Sequence, residues 1–187
     1  MAFPTTPKPR SIRVRSITPN LVSETHSLKR QVRQRGGHRW LIEATYPPMT
    51  RAQFAPLWAF IIAQKGQYST FSYTPAEVSD STGTATGTLT TSAASVGASS
   101  VTVSGLTGTL KAGDFVKFSG HDKVYMLTAD GSSSLAIEPP LTSAVSSSET
   151  VIYNAVPFTM ALADDQQETG MDINQMHSFE LSVVEVL

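Results

Sequence analysis

Four histidines and a run of four carboxylates are the residue types in this chain that could do chemistry. His26, His38, His121 and His177 could each ligate a metal or move a proton, yet none lies at the i, i+3 or i, i+4 spacing that sets two ligands on one helix face. His121 and Asp122 could act as a base and its orienter. Both fall beside Gly120 in a tight Ser119–Asp122 connection, where adjacent side chains seldom converge on one substrate. Asp164, Asp165, Glu168 and Asp172 put four carboxylates in nine residues, with Gly170 available for a sharp turn. The Asp-x-Asp-x-Asp-Gly spacing of a calcium loop is missing, which points to a solvated loop or a partner contact. Gly36-Gly37 and Gly105-x-x-Gly108 precede no helix whose N-terminus could hold a phosphate, and no Gly-x-Ser-x-Gly elbow is present. The expectation is a chain with no catalytic residue, no metal site and no cofactor, and so not an enzyme.

The elements that would position such groups are plainest between residues 36 and 74. Trp40, Ile42 and Ala44 alternate with Leu41, Glu43 and Thr45, the pattern of a half-buried strand that Pro47 and Pro48 end. Thr50 with Gln53 forms a capping-box pattern ahead of Phe54, Leu57, Trp58 and Ile61 at i, i+3, i+4 and i+7, which predicts a helix over 51–65. Pro56 either kinks its first turn or marks the start of the regular helix. Gly66 stops it, and Tyr68, Phe71 and Tyr73 open an aromatic strand. Trp40 and Trp58 could stack sugar rings, but their registers face a core made of Trp40, Ile42, Phe54, Leu57, Trp58 and Ile61. Phe60 and Ile62 lie off that stripe, so the helix is apolar on a second side that suits a subunit interface.

A chain of 187 residues can bury a real core, as one large or two small domains. It has no cysteine, which excludes disulfides and thiolate zinc sites and fits assembly in a reducing cytoplasm. The longest apolar run, Leu57 to Ala63, is far short of the roughly 20 residues that span a bilayer, so no membrane role is expected. Pro4, Pro7 and Pro9 replace the apolar stretch of a signal peptide. Charge is unevenly spread: residues 1–40 hold nine basic residues against Glu24 alone, and the remainder is acidic by about the same margin. Arg13 and Arg15 alternate with Ile12, Val14 and Ile17 as on an exposed strand face, and Arg33 and Arg35 follow. A solvated or partner-facing edge, an acidic surface on a copy of the chain, and DNA are the partners this basic segment could have.

Composition changes at Val78. Ser79 to Ser100 is almost wholly Ser, Thr, Gly and Ala and reads as a long loop or linker, and Ser143 to Thr150 is a second such stretch. Between them, Val101–Val103, Phe115–Phe118, Val124–Thr128 and Leu135–Ile137 read as short strands of a small antiparallel barrel or sandwich. Val151 to Tyr153 leaves that unit, Phe158–Leu162 begins a new strand, and Phe179 to Val186 alternates as a closing strand. The closing strand should pair with strands from 11–17, 38–46 and 68–74. The resulting fold class is mainly β. It has a β-sandwich host of residues 1–78 and 155–187 with one packed helix, and an inserted barrel-like domain at 79–154.

Arg39-Trp40, Tyr46-Pro47-Pro48-Met49-Thr50, Pro56-Leu57-Trp58-Ala59-Phe60 and Gln64-Lys65-Gly66-Gln67-Tyr68 resemble the N-terminal part of distal tail proteins of long-tailed, siphovirus-like bacteriophages. Leu110 to Phe118 and Lys123 to Asp130 resemble a small β domain inserted in the same proteins. The resemblance implies a structural virion protein of the tail tip or baseplate, assembled in the host cytoplasm. It also implies a homohexameric ring that joins the tail tube protein to the tail-tip hub protein around a channel through which DNA passes without specific binding. Arg13, Arg15, Arg33, Arg35, Phe60 and Ile62 are then the expected subunit-interface residues. Two other readings fit part of the pattern. A tail tube or tail completion protein would share the sandwich and lack the insertion. A carbohydrate-binding adhesion module would expose Tyr125 or His121 at the tip of the inserted domain.

Overall fold

The computed structural model describes residues 2–187, and the chain is mainly β. Strands β1 (Ser11–Ile17), β2 (Asn20–Glu24), β3 (Arg30–Gln34) and β4 (Arg39–Thr45) lead to helix α1 (Arg51–Ala63) and strand β5 (Phe71–Tyr73). Then come β6 (Leu89–Thr91), β7 (Ser100–Ser104), β8 (Phe115–Phe118), β9 (Val124–Leu127), β10 (Ser134–Glu138) and β11 (Thr150–Ile152). The chain closes with β12 (Phe158–Leu162), β13 (Thr169–Met171) and β14 (His177–Glu185). A six-stranded antiparallel sheet is ordered β1-β4-β14-β12-β5 with β13 paired to β14, while β10-β7-β6-β11-β8-β9 close into a barrel and β2 and β3 form a two-stranded ribbon. The chain divides into two compact units, one of Thr6–Ser69 with Ala161–Glu185 and one of Thr70–Met160 with the short terminal pieces.

In the first unit the alternation of β4 buries Trp40, Ile42 and Ala44, and β14 sets Val183 opposite Ile42 and Leu181 opposite Ala44. β1 pairs with the other edge of β4, with Val14 opposite Ile42. The closing strand therefore pairs directly with β4; it pairs neither with residues 11–17 nor with the 71–73 strand, since β1 lies beyond β4 and β5 pairs with β12. Helix α1 begins where Thr50 donates its N–H and its hydroxyl to Gln53 Oε1, each at 3.1 Å. It is continuous past Pro56 and starts five residues before it, so the proline falls inside the second turn and does not mark the helix start. It ends at Ala63, short of Lys65, because Lys65 takes a left-handed φ of 56° and Gly66 one of 66°. Phe54, Leu57 and Ile61 are buried. Phe54 stacks on His177 at 4.6 Å and on Trp58 at 5.5 Å, and Phe179 closes the aromatic cluster at 6.1 Å, which fixes α1 against β14.

The barrel core is built from Leu89, Val101, Phe118, Tyr125, Leu135 and Val151 with their neighbours. Closure leaves no free sheet edge in it. The Ser/Thr/Gly/Ala stretch read as a linker is instead ordered structure. Thr84 N–H donates to Thr109 O at 3.0 Å, and Thr86 and Thr107 exchange N–H to O bonds at 2.8 and 3.0 Å. β6 lies inside the same stretch. Val151 and Ile152 likewise do not leave the unit: β11 closes the barrel between β6 and β8. Entry and exit run side by side. Val156 N–H donates to Ser79 O at 3.2 Å, Ala155 N–H to Asp80 Oδ1 at 2.8 Å, and Ser81 N–H to Asn154 Oδ1 at 3.1 Å.

Candidate assembly surfaces

The residues that could have done chemistry are dispersed. His38 is buried beside Ser16, whose hydroxyl lies 2.9 Å from its Nε2, and meets Trp40 edge-on at 4.5 Å. His121 is buried in the barrel, 3.2 Å from Tyr125 Oη and 3.2 Å from the Ala144 carbonyl, and Tyr125 Oη lies 3.0 Å from Thr142 Oγ1. His177 stacks on Phe54, and His26 sits in the exposed turn of the β2–β3 ribbon. Asp122 accepts from Thr159 Oγ1 at 3.2 Å, and Lys117 Nζ donates to the same hydroxyl at 3.2 Å. Among the described residues, no three His, Asp or Glu side chains converge as metal ligands.

The surfaces are better developed than any pocket. On β1, Arg13 and Arg15 are exposed and both reach Glu43 Oε2 on β4, at 3.6 and 3.1 Å, because Arg13 stands directly opposite Glu43 in the register. Exposed pairs of this kind contribute roughly 0–1 kcal/mol, and two guanidinium groups on one carboxylate leave a positive surplus. Arg33 and Arg35 lie on and just past β3, where every residue is exposed. Phe60 is half-buried and Ile62 is 55 % exposed on the outer side of α1. Ile62→Ser should therefore change unfolding free energy by no more than about 0.5 kcal/mol, read by denaturant titration.

Opposite in charge is the segment from Asp164 to Ile173. Asp165 accepts Gln67 N–H at 3.0 Å, Asp164 O accepts from Gln167 Nε2 at 2.8 Å, and Asp172 accepts Ile173 N–H at 2.7 Å. The Asp164 and Asp172 bonds are local, whereas Asp165 ties the segment to the backbone just past α1; all four acidic side chains are exposed, and none forms part of a three-residue ligand group among the described residues. Met171 is 68 % and Ile173 93 % exposed in the same segment.

One carboxylate that sequence reasoning passed over organises the barrel. Asp114, 2 % exposed, accepts from Thr82 N–H at 2.9 Å, Thr82 Oγ1 at 2.7 Å, Ser81 Oγ at 2.8 Å and Lys111 N–H at 2.9 Å. Burial acts to raise its pKa, but the bonds from Lys111, Thr82 and Ser81 together outweigh it and hold the carboxyl below its ordinary value. Nearby, exposed Asp130 is also held below its ordinary value, by Lys111 Nζ at 2.6 Å and then by Ala112 N–H at 2.9 Å. Because the folded pKa of Asp114 is depressed, its contribution is complete above the range where an unfolded Asp titrates, near pH 4, and is lost as pH falls through the folded value. Thermal unfolding from pH 7 to pH 2 should show the difference between the natural chain and Asp114→Asn shrinking below about pH 4.

Residues 80–156 match the family model described as the B domain of distal tail protein pb9. No curated protein matches the chain. The matched span opens and closes at the paired segments Ser79–Ser81 and Asn154–Val156, where the barrel is entered and left.

Proposed function

From the premise that this match indicates a phage distal tail protein, a structural and non-enzymatic tail component, we propose that the chain forms a closed homohexameric ring. That ring joins the last ring of the tail tube to the tail-tip hub and surrounds a channel for DNA. The family match over the barrel carries this reading, and the surfaces support it. A basic strand and ribbon, an acidic loop and an apolar outer helix face are what repeated head-to-tail contacts between identical subunits require. The work of such a part is geometric: it fixes the diameter and register of two neighbouring assemblies, and its lumen lets DNA slide past. The partners are then copies of the chain, the tail tube protein and the hub protein.

The division into a host of residues 1–78 and 155–187 with an insertion at 79–154 belongs to the same proposal. The neck bonds at Ser79, Asp80 and Asn154 support it. A tail tube or completion protein would not need the barrel. An adhesion module acting through Tyr125 or His121 is disfavoured because Tyr125 is fully buried and His121 nearly so. Gold-labelled antibody against the barrel, applied to virions, should mark the distal end of the tail. Label along the whole tube, or label absent from the tail, would overturn the proposal.

A further inference from the structure

The β2–β3 ribbon is the least explained part of the molecule. Every residue from Arg15 through Gly37 is exposed. The register sets Val22 opposite Val32, Leu21 opposite Arg33 and Glu24 opposite Arg30, so each face of the ribbon carries both apolar and cationic side chains. Leu21, Val22 and Val32 are each more than half exposed, and Leu28 at the turn is 79 % exposed. A two-stranded ribbon with neither face covered is marginal in water, so this one calls for a surface to lie on. Its charge identifies that surface: Lys29, Arg30, Arg33 and Arg35 stand against Glu24 alone.

The same compact unit presents the complement. Between Asp164 and Ile173 lie Asp164, Asp165, Glu168 and Asp172 with no lysine or arginine, and beside them the exposed Met171 and Ile173. Both patches are open within one copy, so they do not cover each other there. Resting on the ring reading above, we infer that the ribbon of one copy docks on the 164–173 segment of the next, with apolar side chains meeting Met171 and Ile173 and cations flanking the carboxylates. Two different patches that fit each other make a head-to-tail contact, the kind that closes into a ring. Charge complementarity sets the register and the apolar side chains are desolvated between the copies.

Two measurements on the purified full chain test this. In sedimentation over a concentration series, the pair Arg30→Glu with Arg33→Glu, or the pair Asp164→Lys with Glu168→Lys, should weaken self-association about tenfold, roughly 1.4 kcal/mol. The four changes together should restore most of it. The natural chain has no cysteine, so Val32→Cys with Ile173→Cys should give a ladder of cross-linked oligomers on oxidation, and neither substitution alone should go beyond a dimer. Self-association that is unmoved by the reversals and yields no ladder overturns the ribbon contact while the ring reading stands. A natural chain that remains monomeric at every concentration, with no ladder from the double-cysteine variant, overturns both.

Discussion

Asp114→Ala is expected to destabilise the barrel by about 3–4 kcal/mol. The side chain takes four donors at once, two backbone N–H groups and two hydroxyls, and ties residues 81 and 82 to the turn at 111. Bonds to a charged acceptor contribute roughly 1.5–3 kcal/mol each, but they are not additive because Ser81 and Thr82 partly recover bonds to water once released. Amide exchange separates the cases. Thr82 and Lys111 should lose protection in the variant, while amides of β4 and β14 should keep theirs. A change below about 1 kcal/mol would mean that the segment entering the barrel is held by strand pairing alone. Asp130→Ala, at an exposed pair, should have a distinctly smaller effect.

Gly108→Ala is expected to cost about 3 kcal/mol or more, whereas Gly113→Ala costs about 1–2 kcal/mol. Both glycines have positive φ, 88° and 96°. They differ in what a Cβ would meet. At Gly108 it would lie 2.4 Å from Thr84 O and 2.8 Å from Thr84 C, backbone atoms that cannot step aside, while at Gly113 nothing lies within 4 Å. Conformational strain is common to the pair and the close approach is not, so the difference in denaturant midpoint isolates the packing of the 82–88 segment against 104–109. Equal losses at the two sites would show that the two backbones are not held in this contact.

The close approaches also explain where the amino-acid pattern was legible. β4 and β14 each bury one face against α1 or each other's side chains, so the alternation Trp40, Ile42, Ala44 and Phe179, Leu181, Val183 is written in the residue types. The β2–β3 ribbon leaves no apolar period in the residue types because neither of its faces is buried, as in Arg30–Gln34. The Ser/Thr/Gly/Ala stretch has the composition of a linker because its order comes from backbone pairing, which asks nothing of the side chains. Its signal was the glycines: a Cβ at Gly83, Gly87, Gly105 or Gly108 would meet a backbone oxygen of the facing segment at 2.1–2.7 Å. Of the residues proposed for subunit contacts, Arg13 and Arg15 are placed on an exposed face of the sheet by register. Their convergence on Glu43 depends on which strand lies next door, and that is not local information. Asp114 was invisible for the same reason, since its donors at 81 and 82 are thirty-odd residues away in the chain.

The central claim is that this chain is a ring at the distal end of a phage tail, and a reconstruction of the tail tip from virions tests it most directly. The expected density is a closed six-fold ring between the last tube ring and the hub, with one β1–β4, α1 sheet domain and one six-stranded barrel per subunit. Density that places the chain as an isolated monomer, or as a repeating component of the tube, would contradict it.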